Sequence, residues 1–260
     1  MEQILNNKHV EQFITNGFVR IENAFSKEIA EKARKILWQD LECDPTDPNT
    51  WTKPVVRLGM YSQGPFLQAV NTDVLHHAFD QLVGKGRWIP CRSIGTFPVR
   101  FPSPLDPGDT GWHVDASFPG TKPESYFDWR VNVKSRGRAL LMLLLFSDVG
   151  ERDAPTKIQP GSHLDVARLL LEAGDAGLSF KELAGKLLEL PARANVLATG
   201  EAGTVYLCHP FMVHAAQPHH GREPRFMAQP PLILKDELVL ERADAIYTPL
   251  EESIRFALTL

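Results

Sequence analysis

The stretch ALLMLLLFSDV, residues 139–149, is apolar without a break from Ala139 to Phe146. A half-buried strand alternates apolar and polar positions, whereas a strand covered on both sides does not, so this run predicts a strand buried between two layers. Upstream, SIGTFPVRF (93–101) does alternate: Phe97, Val99 and Phe101 share one face and Thr96, Pro98 and Arg100 the other. Pro/Gly-rich turns separate these segments. Downstream, HLDVARLLLEAG (163–174) and SFKELAGKLLEL (179–190) switch to helical spacing, the second opened by a Ser179–Glu182 capping pair. Strands resume in AGTVYLCHPFMVHAA (202–216) and RFMAQPPLILK (225–235). At the amino end, KHVEQFITNG (8–17) predicts a helix stopped by Gly17, FVRIENAF (18–25) a strand, and Ser26 the N-cap of a helix carrying Ile29, Ala33, Ile36 and Leu37. The simplest account is one domain over 1–260, strand-rich in its second half, with helices in front (about 1–45) and a helical insertion (about 164–191).

The 260 residues are 43% hydrophobic, enough for a sizeable core, and the formal charge is -4. Without a Lys/Arg block, nucleic acid is not an expected partner. No apolar run approaches the roughly 20 residues that cross a bilayer, and MEQILNNKHV lacks the layout of a secretory signal, so a cytoplasmic protein with no membrane partner is expected. Cys43, Cys91 and Cys208 form no CxxC pair and are expected to be structural.

The chemistry-bearing stretch is GWHVDASF (111–118). In extended backbone His113 and Asp115 project to one face, Trp112 and Val114 to the other. Two imidazoles and one carboxylate make the facial triad that suits non-haem Fe(II) and leaves coordination positions open. The residues alone leave the second imidazole among His209, His214, His219 and His220.

Four stretches resemble the phytanoyl-CoA dioxygenase family of Fe(II)/2-oxoglutarate oxygenases: VEQFITNGFVRIENAFS (10–26), WHVDASF (112–118), DAPTKIQPGSH (153–163) and HPFMVHAAQPHHGREPRF (209–226). The resemblance implies a mostly β fold with flanking helices around a double-stranded β-helix, a cupin-like jelly roll. It implies His113, Asp115 and His214 as ligands of Fe(II), and Arg225, eleven residues after His214, as the residue gripping 2-oxoglutarate. His209 is then a packing residue or an outer partner of the ligands, Ser162 and His163 are turn and packing residues, and His219 and His220 are exposed turn residues. Where many members carry serine and asparagine after the distal histidine, this chain has Ala216 and His219. The implied chemistry couples decarboxylation of 2-oxoglutarate by O2, to succinate and CO2, with oxidation of a substrate C–H bond. Related halogenases replace the carboxylate with a small residue, so Asp115 points to hydroxylation or another oxidation.

For the primary substrate, a small molecule, the sequence offers a lid-like segment at 119–138 with Arg130, Lys134, Arg136 and Arg138, which suits an anion but equally a solvated loop. Arg57 and Arg130 are candidate substrate contacts, and Arg100 a second candidate for the cosubstrate carboxylate. Assembly as a monomer or homodimer is expected. Two further readings stand beside this one: a metal-dependent hydrolase or isomerase, for which Arg225 has no purpose, and a non-catalytic binding protein, against which the intact ligand positions argue.

Overall fold

A computed structural model describes residues 4–260. Helices α1 (Asn7–Asn16), α2 (Lys27–Gln39), α3 (Gly64–Val70), α4 (Asp73–Val83), α5 (Ser162–Glu172), α6 (Phe180–Leu187) and α7 (Pro249–Leu258) flank a β core whose sheets are antiparallel and not closed.

The apolar run at 139–149 forms the middle of the larger sheet as strand Leu140–Leu145, buried at every position. Val205–Cys208 pairs with it on one side and carries Phe18–Ile21 beyond. Met227–Ala228 and Pro231–Leu234 pair with it on the other. Leu141, Leu143 and Leu145 join Ile158, Ala198 and Met212 in a core between this sheet and a smaller one. Leu140, Met142, Leu144 and Phe146 face the helices, in a second core with Ala33 and Leu37 of α2, Phe66 of α3 and Phe79 of α4. Burial on both faces is why the run has no polar alternate, and each such leucine contributes roughly 1.5–3 kcal/mol. The smaller sheet orders His214–Ala215, Lys157–Ile158 and Val196–Leu197, and a separate pair joins Val55–Leu58 to Phe97–Arg100.

Helix ends follow local chemistry. Ser26 accepts from the Ile29 amide, and Ser179 and Glu182 form a reciprocal capping box. Gly17 ends α1 at φ +83°, where a Cβ would collide with Met212 and His163, so only glycine fits there. The insertion holds more than two helices: Leu178–Ser179, between α5 and α6, pairs with Arg130–Val131 and so ties down the 119–138 segment. That segment is therefore built structure rather than a free loop. Helices α3, α4 and α7 lie outside the elements expected from the sequence, although Thr72 caps α4 and Thr248 with Glu251 boxes α7.

Ser162 and His163 open α5 and clamp it to its neighbours. The Val213 amide donates to Ser162 Oγ at 3.0 Å, and His163 Nε2 meets the Ile14 carbonyl at 3.0 Å. His163 packs against buried His209, ring centroids 4.9 Å apart and planes tilted by 44°. Burial pushes the His163 pKa from 6.5 down to about 4, and burial followed by the adjacent His163 lowers His209 as well. Both take up protons more readily unfolded than folded, so their contribution to stability is complete above pH 6.5 and is lost as the pH falls towards 4. For His163 the gap corresponds to about 3 kcal/mol. We expect urea midpoints to fall steeply between pH 6.5 and 4, and His163→Gln, which keeps a donor for the Ile14 carbonyl, to flatten that fall. An unchanged slope in the variant would show that His163 is not responsible.

Candidate metal centre

His113 and His214 are cross-strand neighbours. Each backbone amide donates to the other's carbonyl at 3.0 Å, which brings the imidazole centroids to 4.3 Å. Asp115, two residues beyond His113, completes the group: the Nε2 atoms of both histidines lie 3.9 Å from its Oδ1, and all three ligand atoms fall within 4.8 Å of one another. Two ligands each about 2.1 Å from one ion sit roughly 3 Å apart, so a modest inward movement closes the set on a metal.

Both imidazoles are oriented from behind. His113 Nδ1 lies 2.9 Å from the Gly111 carbonyl and His214 Nδ1 3.0 Å from the Met212 carbonyl. A carbonyl only accepts, so each Nδ1 carries the proton and each Nε2 lone pair faces the centre. Burial, with His113 beside it, lowers the His214 pKa to about 4, which keeps this imidazole neutral at physiological pH. Burial works against ionisation of Asp115, but Arg138 above all, then His214 and His113, hold its carboxyl below the usual value. Arg138 Nη1 donates to Asp115 Oδ2 at 2.9 Å, so Oδ1 is the oxygen turned to the histidines. Tyr126 Oη donates to Oδ1 at 3.4 Å. An N,N,O donor set of two neutral imidazoles and one carboxylate, whose outer oxygen is already occupied by Arg138, fits a divalent ion with open positions.

These groups line a cavity of about 820 Å³ that also includes Trp112, Phe180, Arg57, Arg100 and Asp109. Arg100 and Arg225 are paired through their backbones, Arg100 N–H to the Arg225 carbonyl at 3.1 Å and Arg225 N–H to the Arg100 carbonyl at 2.8 Å. Their side chains are 2% and 1% exposed. Arg225 donates to the Ala154 carbonyl and, at 3.2 Å, to the Pro98 carbonyl, while Arg100 donates to Asp109 Oδ2 at 2.7 Å. Among the described residues, Arg100 Nε and Nη1 and Arg225 Nε are buried without a partner. Burial, then the adjacent Arg100, pulls the Arg225 pKa to about 9, still protonated at neutral pH. Arg100 lines the cavity that holds the triad, and Arg225, its backbone neighbour, lies outside the lining; the unused donors of these two buried guanidiniums fit a carboxylate of 2-oxoglutarate.

The other candidates are dispersed. Arg57, half-exposed at the cavity, pairs with Asp109. Arg130 donates to the Ala176 and Gly177 carbonyls and stands 3.5 Å from Glu182, gripping the insertion rather than lining the cavity. Lys134 pairs with Asp175. His209 is buried against Phe13 and Phe211. His220 is exposed, but His219 is not: it is 4% exposed and accepts from the Gly221 amide at 3.1 Å, which corrects its reading as an exposed turn residue. A histidine doublet before glycine signals a turn without telling which ring turns inward. Asp109 and Tyr126 were not picked out as site residues, because each sits among loop residues and gains its place only through tertiary contact. Burial keeps the Cys208 thiol protonated, and Cys43 and Cys91 are likewise unbonded. No helix among the described residues is long and apolar enough to cross a membrane.

The family model Phytanoyl-CoA dioxygenase (PhyH) matches residues 13–227. Comparison with curated proteins gives no match. Among solved structures, the chain is similar to the non-heme alpha ketoglutarate dependent carbocyclase SnoK from nogalamycin biosynthesis, with a TM-score of 0.57, 17% identity and 90% of this chain covering 85% of that one. It is similar to HygX from Streptomyces hygroscopicus with nickel, 2-oxoglutarate and hygromycin B bound (TM-score 0.56, 16% identity, 89% and 88% covered). A third likeness is to EctD from S. alaskensis with 2-oxoglutarate and 5-hydroxyectoine (0.55, 18%, 89% and 76%). At these identities the likeness is one of fold, a cupin-type core.

Proposed function

The chain belongs to the phytanoyl-CoA dioxygenase family, and from that premise we propose that it uses Fe(II), 2-oxoglutarate and O2 to hydroxylate a C–H bond of a small-molecule substrate, releasing succinate and CO2. The observation that carries this reading is the convergence of His113, Asp115 and His214 within 4.8 Å, with both Nδ1 atoms tied to carbonyls.

In this reading His113 Nε2, His214 Nε2 and Asp115 Oδ1 hold the iron, which supplies oxygen activation when bound. Every other contribution is the protein's own. Arg138 fixes Asp115 through its second oxygen and keeps it ionised. Arg225, assisted by Arg100, holds the distal carboxylate of 2-oxoglutarate and so fixes which end faces the metal. Trp112 and Phe180 wall the cavity with apolar surface and limit water. Arg57 contacts the substrate at the mouth, whereas Arg130 acts at a distance by holding the lid-like segment to the insertion.

Isotope labelling tests the reading. Under 18O2, with Fe(II) and 2-oxoglutarate, the expected result is one labelled oxygen in succinate, and one in the product when substrate is present. Succinate carrying label with an unlabelled product that has lost two hydrogens would replace hydroxylation by desaturation or oxidative cyclisation; the likeness to SnoK, a carbocyclase, motivates that arm. Turnover that persists without O2 would favour the hydrolase or isomerase instead.

A further inference from the structure

The charge around the cavity is unbalanced. Arg57, Arg100 and Arg138 line it opposite Asp109 and Asp115, and Arg225 lies behind Arg100. Four guanidiniums oppose two carboxylates, an excess of two positive charges. Divalent iron and dianionic 2-oxoglutarate cancel each other, so loading the site leaves that excess in place. Arg138 is committed to Asp115, and Arg100 and Arg225 are buried. Arg57 is the accessible member: its side chain is 53% exposed, and among the described residues its only carboxylate partner is Asp109 Oδ2, the same oxygen that Arg100 already holds. One carboxylate oxygen shared by two guanidiniums leaves each short of compensation.

The cavity also carries an aromatic platform. Phe127 is 66% and Tyr126 44% exposed, and both rings meet Phe180, at centroid distances of 5.8 and 5.4 Å. Phe180 in turn lies 5.6 Å from the His113 ring, so the platform runs from solvent to the metal centre. Contiguous exposed aromatics beside a polar site mark a surface that a ligand covers.

Resting on the oxygenase reading, we propose that the primary substrate is an organic acid with a flat apolar body: its carboxylate pairs with Arg57 and its body lies on Tyr126, Phe127 and Phe180, leading a C–H bond towards His113. A cationic substrate meets repulsion from the excess charge, and a purely polar one leaves the platform bare.

Calorimetric titration of the protein loaded with Ni(II) and 2-oxoglutarate tests this without turnover, using 4-phenylbutyrate, 4-phenylbutanamide and 4-phenylbutylamine as probes of one size and different charge. The acid is expected to bind about ten-fold more tightly than the amide, the margin of one charge-assisted hydrogen bond, and the amine least. Arg57→Ala should remove most of the acid's advantage, and Phe127→Ala should weaken acid and amide alike. Equal binding of acid and amide, an advantage that survives Arg57→Ala, competition of the acid with 2-oxoglutarate, or no binding of any probe would each overturn the proposal. The visible absorption of the anaerobic Fe(II)–2-oxoglutarate protein separates the two failures. With that absorption present, only the substrate class falls; without it, the oxygenase reading falls too.

Discussion

Alanine at position 214 is expected to lower turnover of 2-oxoglutarate by at least about 10³-fold while leaving the protein folded. Losing an outer partner of a metal ligand typically costs roughly 10–100-fold in affinity or activity, and His214 is itself one of three candidate donors within 4.8 Å. Its fold contribution comes from the backbone, because the amide and carbonyl that pair with His113 survive the substitution. The cavity left by the imidazole opens onto space already present, so the unfolding midpoint should move little. Asp115→Asn should behave similarly for a different reason: it keeps the volume and removes the charge that both Arg138 and the ion require. Initial rates of succinate formation and circular dichroism at matched iron concentration check both variants. Near-native rates in His214→Ala would remove it from the ligand set.

The second large effect is on the cosubstrate. Arg225→Leu is expected to raise the KM for 2-oxoglutarate by about 100-fold or more, since two charge-assisted hydrogen bonds to a carboxylate are worth roughly 1.5–3 kcal/mol each. The variant should fold, because leucine leaves no unpaired charge and relieves the repulsion between Arg225 and Arg100. Arg225→Lys keeps the charge but not the planar fork, and should recover only part of the loss. Rate against 2-oxoglutarate concentration measures this. An unchanged KM in Arg225→Leu would shift the role to Arg100, whose Nε and Nη1 are also without partners among the described residues.

The parts of this arrangement that were legible in the sequence are those set by local geometry. His113 and Asp115 share a face because extended backbone repeats every two residues, and Leu140–Leu145 betrays its burial by the lack of any polar alternate. The Ser179–Glu182 box marks the start of α6 within one turn. His214 is a different case. Its pairing with His113 joins residues about a hundred positions apart, and only the family resemblance singled it out from His209, His219 and His220. Arg138 reads as one of several loop cations, yet the chain folds back to bury it on Asp115, 23 residues away. His219 fails for the same reason: nothing in residues 217–221 says which ring faces inward. Helix α4 has an ordinary Thr72 cap and α3 only a proline in its first turn in place of a side-chain cap, so their apolar faces are the main signal over 64–83.

Anaerobic titration of the protein with Fe(II) and 2-oxoglutarate examines the iron grip itself. A visible charge-transfer absorption that saturates at one equivalent of iron, vanishes in His214→Ala and weakens in Arg225→Leu is the predicted result. Wild-type protein that develops no such absorption, or an absorption indifferent to His214, would refute the assignment of His113, Asp115 and His214 as a single metal centre.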